Sequence, residues 1–460
     1  MSVIQHQQAT QPTDTWPANI DPTNYTLTNY RGTGWVFDFP GDGGTHFWAL
    51  MTSATIVAFG QSNGAYGDPA RQDIFTATTA VSSVDFYAIL NTTGATGQDI
   101  FNLLMGGDDT ITGSAGDDLL LAGLGSDTVT GGDGADQFDF QAGTHHVTDL
   151  GAGGADSLKV SDGALVTCDA VADWAATAAT VNSGTVIINT NGFIIDLTYA
   201  DAADGTGYTV TSAGLATSVV STGSGSDDTL IGGLAADQLF GGAGGDVLRG
   251  GAGDDLLDGG AGSDTADFSA ATKVIRVDLA KTGPQNTGDG KDTLVSIENV
   301  TGGARADRLT GDDNANILAG GDGNDILTGK GGSDTLNGGK GADKLVGGDG
   351  DDVLIGGAGK DVMSGGAGSD SFVYLDLTDS VAGRNRDVIS GFNSAEGDVI
   401  DFRDINAPHG FYYHGGKAFT HEAGEIIYNK GLLQVDADGD GKADFQISVT
   451  IADPLHSILY

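Results

Sequence analysis

A nine-residue phrase repeats in register along this chain, and its spacing limits the folds that the chain can adopt. The clearest copy runs from Gly320 to Thr328 and follows the pattern Gly-Gly-x-Gly-x-Asp-x-apolar-x. The glycines permit a tight turn with backbone carbonyls pointing inward. The aspartate supplies a carboxylate, and the apolar residue two places later supplies a side chain for a core. Each copy therefore combines a turn that carries oxygen ligands with a short strand.

The copies form three blocks, at about 104–140, 223–267 and 302–373. Seventeen copies keep an acidic or amide residue at the sixth position of the phrase, which chance would not hold in phase. Asn316 is a weaker ligand than the aspartates at the other copies. These sixth positions are the candidate metal ligands: Asp109, Asp118, Asp127, Asp136, Asp228, Asp237, Asp246, Asp255, Asp264, Asp307, Asn316, Asp325, Asp334, Asp343, Asp352, Asp361 and Asp370.

The spacing also predicts how the copies stack. Six residues of turn and three of strand make half a coil, so residues 18 apart lie on the same side of neighbouring coils. Calcium prefers six to eight oxygens at about 2.3–2.6 Å, which two stacked turns can supply and one cannot. We therefore expect an all-β fold with three parallel β-roll blocks, interspersed small β-rich domains, and Ca²⁺ ions between coils.

The charge balance supports metal binding. The 460 residues include 63 acidic and 20 basic side chains, for a net charge of -43, and 77 glycines. Because the acids sit at fixed repeat positions, metal binding explains them better than a disordered acidic chain does. The same charge argues against nucleic acid as a partner. Without calcium the stacked carboxylates repel, so we expect the repeats to fold only when the ion is present.

Cysteine content and hydropathy limit other sources of stability. Cys168 has no second cysteine to pair with, so an internal disulfide is not expected. The sequence has no apolar run of 18 or more residues, so no membrane span is predicted. The start of the chain is polar and lacks the apolar core of a signal peptide. Calcium sites of this type suit an extracellular protein, which favours export by another route.

Changes in composition outside the blocks predict the domain organisation. A hairpin is expected about Asn189–Gly192, and the alanine-rich run Asp169–Thr180 is a candidate short helix. The predicted segments are 1–18, a polar tail; 19–103, a β-rich N-terminal domain of unknown family; 104–140, the first roll; 141–222, a β-rich inserted domain; 223–267, the second roll; 268–301, a strand-containing connector; 302–373, the third roll; and 374–460, a terminal domain.

The repeats resemble the haemolysin-type, or RTX, calcium-binding family. The tail resembles the C-terminal region of serralysin-type proteins in the stretches Asp387–Phe392, Gly397–Phe402 and Asp436–Phe445. This resemblance implies a C-terminal cap on the roll and an uncleaved secretion signal that type I secretion machinery reads. Such export passes an unfolded chain, which calcium then folds outside the cell. The location that the resemblance implies is extracellular or at the cell surface.

Catalytic motifs are weak in this sequence. His421-Glu422 lacks the second histidine of the zinc helix that serralysin proteases carry, so that activity is not carried over. Ser62 lies in Gly60–Gly64, which fits a nucleophile elbow. A glycine-rich chain matches that pattern by chance about once, and the aspartate and histidine partners are not evident. We expect no enzyme activity.

Other candidate ligands are also weak. Asp436, Asp438 and Asp440 imitate the start of an EF-hand loop, but the twelfth position is Ile447 rather than glutamate. A polar turn is the simpler interpretation of that loop. Three histidines lack partners at metal-ligand spacing and are expected to be exposed or in turns: His46, His145 and His146.

The sequence thus predicts a secreted RTX protein that binds several calcium ions and has a structural, adhesive or surface-matrix role. Its expected partners are calcium, the type I exporter, and a surface polysaccharide or matrix. One alternative is a secreted enzyme whose small N-terminal domain hydrolyses a polysaccharide or an ester. Another is a calcium-dependent, lectin-like signalling protein.

Overall fold

The structure, a computed structural model, is all-β, as the repeat spacing predicts, with 47% of residues in strands and 1% in helix. It divides into two compact units, 1–212 with 219–229, and 213–218 with 230–460. Asp109 and the polar tail lie outside the described residues. The structure describes 108, 110–113, 116–200, 206–405, 410–415 and 418–460 in full, and the backbone of strands within 26–77 and at 201–202.

The N-terminal part of the first unit contains a four-stranded antiparallel sheet in the order β1-β2-β3-β4. Short connections between consecutive strands favour antiparallel neighbours of this kind. Ser62, the serine of the elbow-like motif, is the last residue of the fourth strand. The strands are β1 (Thr26–Asn29), β2 (Gly34–Pro40), β3 (His46–Thr52) and β4 (Thr55–Ser62).

From Thr110 to Thr222 the described residues of the first unit form a parallel β-solenoid, and the short strand Thr76–Ala77 pairs antiparallel with its first strand. Thr110 is paired with Thr128, and Leu119 with Gln137, so neighbouring coils are in register at the 18-residue spacing. The strands are β5 (Thr76–Ala77), β6 (Thr110–Thr112), β7 (Leu119–Ala122), β8 (Ser126–Thr130), β9 (Gln137–Phe140), β10 (Gly143–Leu150), β11 (Ser157–Val160), β12 (Ala164–Ala170), β13 (Trp174–Ala175), β14 (Val181–Asn182), β15 (Thr185–Asn189), β16 (Ile195–Asp196), β17 (Asp201–Ala202), β18 (Tyr208–Thr211) and β19 (Val220–Thr222).

Strands continue in the same sheets beyond the first repeat block. β10 pairs in parallel with β8 on one side and with β12 on the other, and β12 pairs with β15. β11 likewise pairs in parallel with β9 and β14. The boundary predicted at 140/141 therefore does not coincide with a break in the sheets. The inserted segment continues the solenoid without the glycine-rich phrase.

The hairpin predicted about Asn189–Gly192 is wrong. Asn191 and Gly192 do form a tight turn, with φ of 51° and 96°. The turn leads the chain to another face of the solenoid instead of reversing it. β15 pairs in parallel with β12 and β18, whereas β16 pairs in parallel with β13 and β19. A local turn signal does not distinguish a hairpin from a solenoid corner, because strand partners lie about 20 residues away.

The short helix predicted within Asp169–Thr180 is also wrong. This run contains the end of β12 and the two residues of β13. Ala170, Trp174 and Ala176 are buried, and the Trp174 indole N–H donates to the Asp156 carbonyl at 3.0 Å. Ala170 and Ala176 pack inside the coil, whereas the other alanines of the run are exposed or partly exposed, so strand pairing rather than burial overrides their helix propensity.

The second unit is also a parallel β-solenoid, and the two units together contain about 14 turns. Its strands, from the one at the boundary onward, are β20 (Thr229–Ile231), β21 (Gln238–Ala243), β22 (Val247–Arg249), β23 (Leu256–Ala261), β24 (Thr265–Asp267), β25 (Arg276–Asp278), β26 (Gln285–Asn286), β27 (Lys291–Val295), β28 (Asn299–Thr301), β29 (Arg308–Thr310), β30 (Ile317–Asp322), β31 (Ile326–Gly331), β32 (Thr335–Gly341), β33 (Lys344–Asp349), β34 (Val353–Gly359), β35 (Val362–Ala367), β36 (Ser371–Val373), β37 (Asp387–Ile389), β38 (Val399–Asp401), β39 (Tyr412–Gly415), β40 (Glu425–Asn429), β41 (Leu432–Asp436), β42 (Phe445–Ser448) and β43 (Ile458–Leu459).

The core of the third block is a double file of the eighth-position side chains, with one row on each of its two sheets. Leu327 is paired in register with Leu345, and Leu345 with Met363. Every member of the file is fully buried: Leu309, Leu318, Leu327, Leu336, Leu345, Leu354, Met363 and Phe372. Each nine-residue phrase contributes one side chain to this core. The apolar surface that it buries is therefore small compared with the conformational entropy lost when nine residues of backbone are ordered.

The connector 268–301 leaves the repeat and returns to it. β26 pairs antiparallel with both β25 and β27, which forms a small excursion. β27 then pairs in parallel with β23, and β28 with β24 and β30. The strands on either side of β26 pair in register with strands of the repeat blocks, so the connector contributes coils of its own.

After the third block, two sheets of the second unit continue into the C-terminal segment. β37 pairs in parallel with β35 and β42, and β38 with β36 and β43. β40, β41 and β42 form an antiparallel meander. Among the described residues the helix is one short turn, α1 (Pro454–Ser457). That part of the chain contains no helix long and apolar enough to cross a membrane.

Candidate metal centre

The sixth positions of successive coils are joined by hydrogen bonds from backbone to carboxylate. On one edge of the third block, the N–H of Asp307 donates to Asp325 Oδ1 at 2.7 Å, and that of Asp325 to Asp343 Oδ1 at 2.7 Å. The N–H of Asp343 then donates to Asp361 Oδ1 at 2.8 Å. One oxygen of each carboxylate is thus used to hold the neighbouring coil. We call this series a carboxylate ladder.

A second ladder runs along the other edge of the same block. The N–H of Asn316 donates to Asp334 Oδ1 at 2.8 Å, that of Asp334 to Asp352 Oδ1 at 2.8 Å, and that of Asp352 to Asp370 Oδ1 at 3.1 Å. The other blocks have the same bonds, in the pairs Asp118–Asp136, Asp237–Asp255 and Asp246–Asp264. The repeat therefore brings its sixth-position residues together in two rows.

The second oxygen of many ladder carboxylates is buried without a hydrogen bond. In eight of the sixth-position aspartates that the structure describes, Oδ2 has no hydrogen-bond partner, and each residue is 2% exposed or less. No lysine, arginine or histidine of the described residues forms an ion pair with them. The eight are Asp136, Asp255, Asp325, Asp334, Asp343, Asp352, Asp361 and Asp370. Burying an uncompensated carboxylate is costly, so the donor set fits a cation.

The first glycine of each phrase keeps the space in front of these oxygens open. A β-carbon on Gly338 would lie 2.6 Å from Asp343 Oδ2 and 2.6 Å from Gly356 O, which belongs to the next coil. The carboxylate of one coil and the carbonyl of the next therefore converge on one small cradle. Gly338 does not need a left-handed backbone, so lack of space is the reason for glycine here. The same pair of oxygens surrounds Gly320, Gly329 and Gly347.

The buried carboxylates bind protons more tightly than ordinary ones. Burial raises the pKa of Asp361 to about 8, and that of Asp136 and Asp255 to about 7. Neighbouring carboxylates of the ladder raise these pKa values further. A divalent cation would remove both penalties, and an oxygen-only donor set suits a hard ion such as calcium. When bound, the ion would neutralise the like charges of adjacent coils.

Some predicted ligands are arranged differently. Asp307 Oδ2 accepts the N–H of Gly303 at 2.8 Å, and Asp228 Oδ2 accepts the N–H and hydroxyl of Ser224. Asn316 Oδ1 accepts the N–H of Asp312, and its amide N–H donates to the Glu298 carbonyl at 2.8 Å. An amide rather than a carboxylate suits position 316, because the Glu298 carbonyl oxygen points at this side chain and accepts its N–H.

The first block departs from the ladder at Asp127. The residue in register with it one coil later is His145, whose Nδ1 lies 2.9 Å from Asp127 Oδ2. The prediction that His145 is exposed is wrong, since it is 1% exposed. His146 is partly exposed and lies 3.2 Å from Asp169. A basic side chain, rather than a second carboxylate, therefore faces Asp127.

Five ladder residues were missed by the sequence analysis. Each accepts the N–H of a sixth-position residue at 2.8–3.1 Å, although its separation in sequence is 20 to 37 residues instead of 18. They are Asp156, Asp292, Glu298, Asp387 and Asp398. Four of them begin the local sequence Asp-x-apolar, which matches positions six to eight of the phrase without its glycines. That short signal could have identified them.

The EF-hand-like loop has a different third member from the one expected. Asp436, Asp438 and Asp444 have ligand atoms within 4.8 Å of one another. Asp440 instead bonds Lys442 Nζ at 2.6 Å. The Asp436 carboxylate accepts the N–H groups of Gly439 and Gly441, as expected of a polar turn held by its own backbone.

Comparison with known proteins agrees with this geometry. The model of the RTX calcium-binding nonapeptide repeat (4 copies) matches residues 105–138, 221–248, 231–266, 301–336 and 337–372. No curated protein matches the chain. Among solved structures, the extracellular lipase LipA from Serratia marcescens is similar at 14% identity, covering 94% of this chain and 83% of the lipase, with a TM-score of 0.20. That score is too low to support an argument about this chain. The matched segments and the parallel coils identify the chain as one built on RTX calcium-binding nonapeptide repeats in a β-solenoid.

Proposed function

We propose that this chain is a secreted calcium-binding protein that folds when calcium fills its carboxylate ladders outside the cell. The observation that carries the proposal is the set of buried aspartates whose second oxygen has no hydrogen-bond partner among the described residues. Four of them face a carbonyl of a neighbouring coil across a glycine: Asp325, Asp334, Asp343 and Asp352. Calcium supplies the charge that such an arrangement requires.

The size of the effect favours an extracellular setting. A site with a Kd near ~0.1 mM in ~1–2 mM calcium stabilises the folded chain by roughly 1.5 kcal/mol. About ten such sites would match the net stability of an ordinary domain, about 5–15 kcal/mol. At the far lower calcium concentration inside a cell this contribution is lost. The chain would then stay unfolded until export and fold outside the cell.

The biological role that we propose is structural, adhesive or part of a surface matrix. The tail resembles the terminal region of serralysin-type proteins, which supports export by type I secretion machinery. Surface polysaccharide or matrix is the proposed partner, since calcium bridges acidic polymers as well as acidic proteins. Nucleic acid is an unsuitable partner for a chain with a net charge of -43.

We propose no catalytic site. Ser62 ends strand β4, and its side chain lies outside the described residues. The Ser62→Ala variant should behave as the parent protein in a screen of ester and glycan hydrolysis. Hydrolysis that is present in the parent and lost in this variant would favour the alternative of a secreted enzyme.

Calcium titration of the purified full chain tests the main proposal. We expect a cooperative rise of β signal in circular dichroism at submillimolar to millimolar calcium, together with resistance to protease. Magnesium at the same concentration is the control, because its octahedral preference and tight hydration suit it poorly to carbonyl-rich sites. Equal compactness and protease resistance after complete chelation would overturn the proposal.

A further inference from the structure

We propose that Asp361 and Asp387 form a calcium site outside the repeats, which attaches the C-terminal segment 374–460 to the last coil of the third block. The inference deepens the proposed function and rests on it. Asp387 keeps only positions six to eight of the phrase, and it follows Arg386 rather than a glycine turn. The site is argued from backbone register, hydrogen bonding and buried charge.

The backbone gives Asp387 the geometry of a sixth position. β35 and β37 pair in parallel, with Val362 opposite Val388 and Met363 opposite Ile389. Asp361 and Asp387 therefore stand side by side in adjacent coils. The N–H of Asp361 donates to Asp387 Oδ1 at 2.8 Å, as the N–H of Asp343 does to Asp361 Oδ1. Asp387 thus continues the ladder across the end of the repeats.

The pair lacks a compensating positive charge. Asp361 and Asp387 are both fully buried, and neither Oδ2 accepts a hydrogen bond from the described residues, although the nearby Tyr374 hydroxyl lowers the pKa of Asp387. The nearest arginine in sequence points elsewhere, because Arg386 donates to Ser448 Oγ at 2.8 Å and to the Gly383 carbonyl. Two adjacent buried carboxylates of this kind require protons or a cation.

Further oxygen atoms lie near the pair. Asp379 is 8% exposed and its charge raises the pKa of both Asp361 and Asp387, while its Oδ2 accepts the N–H groups of Leu375 and Asp376. The Tyr374 hydroxyl is fully buried beside Asp387. The Tyr374 ring packs edge-on against Phe445, with centroids 5.0 Å apart, so the hydroxyl is held in place by the C-terminal core. An oxygen-only environment selects a hard divalent cation, calcium in an extracellular setting.

The same residues connect the site to the terminal strands. The N–H of Asp387 donates to Ser380 Oγ at 2.8 Å, and that hydroxyl donates to the Gln446 carbonyl at 2.6 Å. β37 also pairs with β42, where Asp387 is opposite Ile447. An ion on Asp387 would therefore fix β37, the 374–380 turn and β42 together. Calcium binding by this site would order the C-terminal segment in addition to the repeats.

The test compares full-length Asp387→Asn with Asp404→Asn, which removes an exposed carboxylate of the same segment. Bound calcium is counted by equilibrium dialysis, and protection of 374–460 is followed by limited proteolysis during calcium titration. We expect Asp387→Asn to bind one ion fewer and to need severalfold more calcium for protection of that segment. Asp404→Asn should match the parent in both measurements.

The outcomes separate this site from the general proposal. If the parent chain binds no calcium, the proposed function fails. If the parent binds calcium and Asp387→Asn binds the same number with the same protection midpoint, this site alone is rejected. Should Asp387→Asn not fold, terbium replaces calcium in the parent and in Tyr374→Phe. If terbium binds beside Tyr374, the tyrosine-sensitised terbium emission should be weaker in Tyr374→Phe than in the parent. Equal emission from the two proteins would reject the site.

Discussion

The His145 imidazole lies against the Asp127 carboxylate, with Nδ1 2.9 Å from Oδ2, at the register position where the repeat blocks have a second aspartate. Its other ring nitrogen lies 2.9 Å from the carbonyl oxygen of Gln141, and the ring stacks on Phe140. Each ring nitrogen therefore lies near one oxygen atom. A side chain thus does at this coil what an ion is proposed to do at the others.

We expect His145→Gln to destabilise the protein by about 3–5 kcal/mol, because it removes the imidazole that faces the buried Asp127 carboxylate. His146→Gln is the matched control, since it alters a partly exposed pair with Asp169 and should cost about 0–1 kcal/mol. Urea unfolding at saturating calcium measures both. Equal effects of the two substitutions would show that the His145–Asp127 contact has no special weight.

Gly338→Ala should destabilise the calcium-loaded protein by about 1–3 kcal/mol, because its methyl group would overlap Asp343 Oδ2 and Gly356 O. Calcium affinity should fall as well, since the methyl group enters the cradle. In Gly331→Ala the nearest atom is 3.7 Å away, so this control should be close to neutral. Thermal unfolding and calcium titration of both variants check the prediction, which a harmless Gly338→Ala would contradict.

Asn316→Asp should be destabilising although it restores the consensus residue. The substitution replaces a donor by an acceptor opposite the Glu298 carbonyl, so a bond is lost and two oxygens are set against each other. The expected cost is about 1–3 kcal/mol. Asn337→Asp, on the half-buried face of β32, is the control. Increased stability of Asn316→Asp in calcium would mean that the carbonyl turns away to admit an ion.

The calcium-free protein should be folded only at acid pH, where its buried carboxylates are protonated, and should lose its urea midpoint as pH rises. Burial raises the pKa of Asp325 and Asp370 to about 6, of Asp255 to about 7 and of Asp361 to about 8, from an ordinary value of 3.8. Between these values the folded chain binds more protons than the unfolded chain, so stability present below pH 4 is lost as pH rises through 6–8. Urea midpoints of calcium-free protein from pH 4.5 to 8.5 test this sign.

Calcium should change that pH dependence. Because the ion competes with protons for the same carboxylates, calcium affinity should increase as pH rises from 5 to 8. The stability of protein at saturating calcium should then be flat or rising over the same interval. A calcium-loaded protein that weakens with pH as the calcium-free protein does would indicate that the ladders are not the binding sites.

The sequence alone determined the coil, the two rows of carboxylates within each block and the file of core side chains. It could do so because each of these features recurs every 18 residues, the length of one coil. The pairing of Leu327 with Leu345 is an example of this spacing. The glycine at 338 was predictable as a turn residue, but its reason, the convergence of two oxygens from different coils, required the structure.

Only the tertiary structure decided which residues outside the blocks join the ladders and which contacts replace an ion. Hydrogen bonds between strands hold the coils in register. An inserted segment of any length therefore leaves the ladder intact, provided that the next strand pairs with the preceding coil in the same register. Asp387 therefore takes a sixth position 26 residues after Asp361, although another aspartate, Asp379, stands at the 18-residue spacing. Likewise, His145 acquires its role from Asp127, a neighbour across coils that local sequence does not reveal.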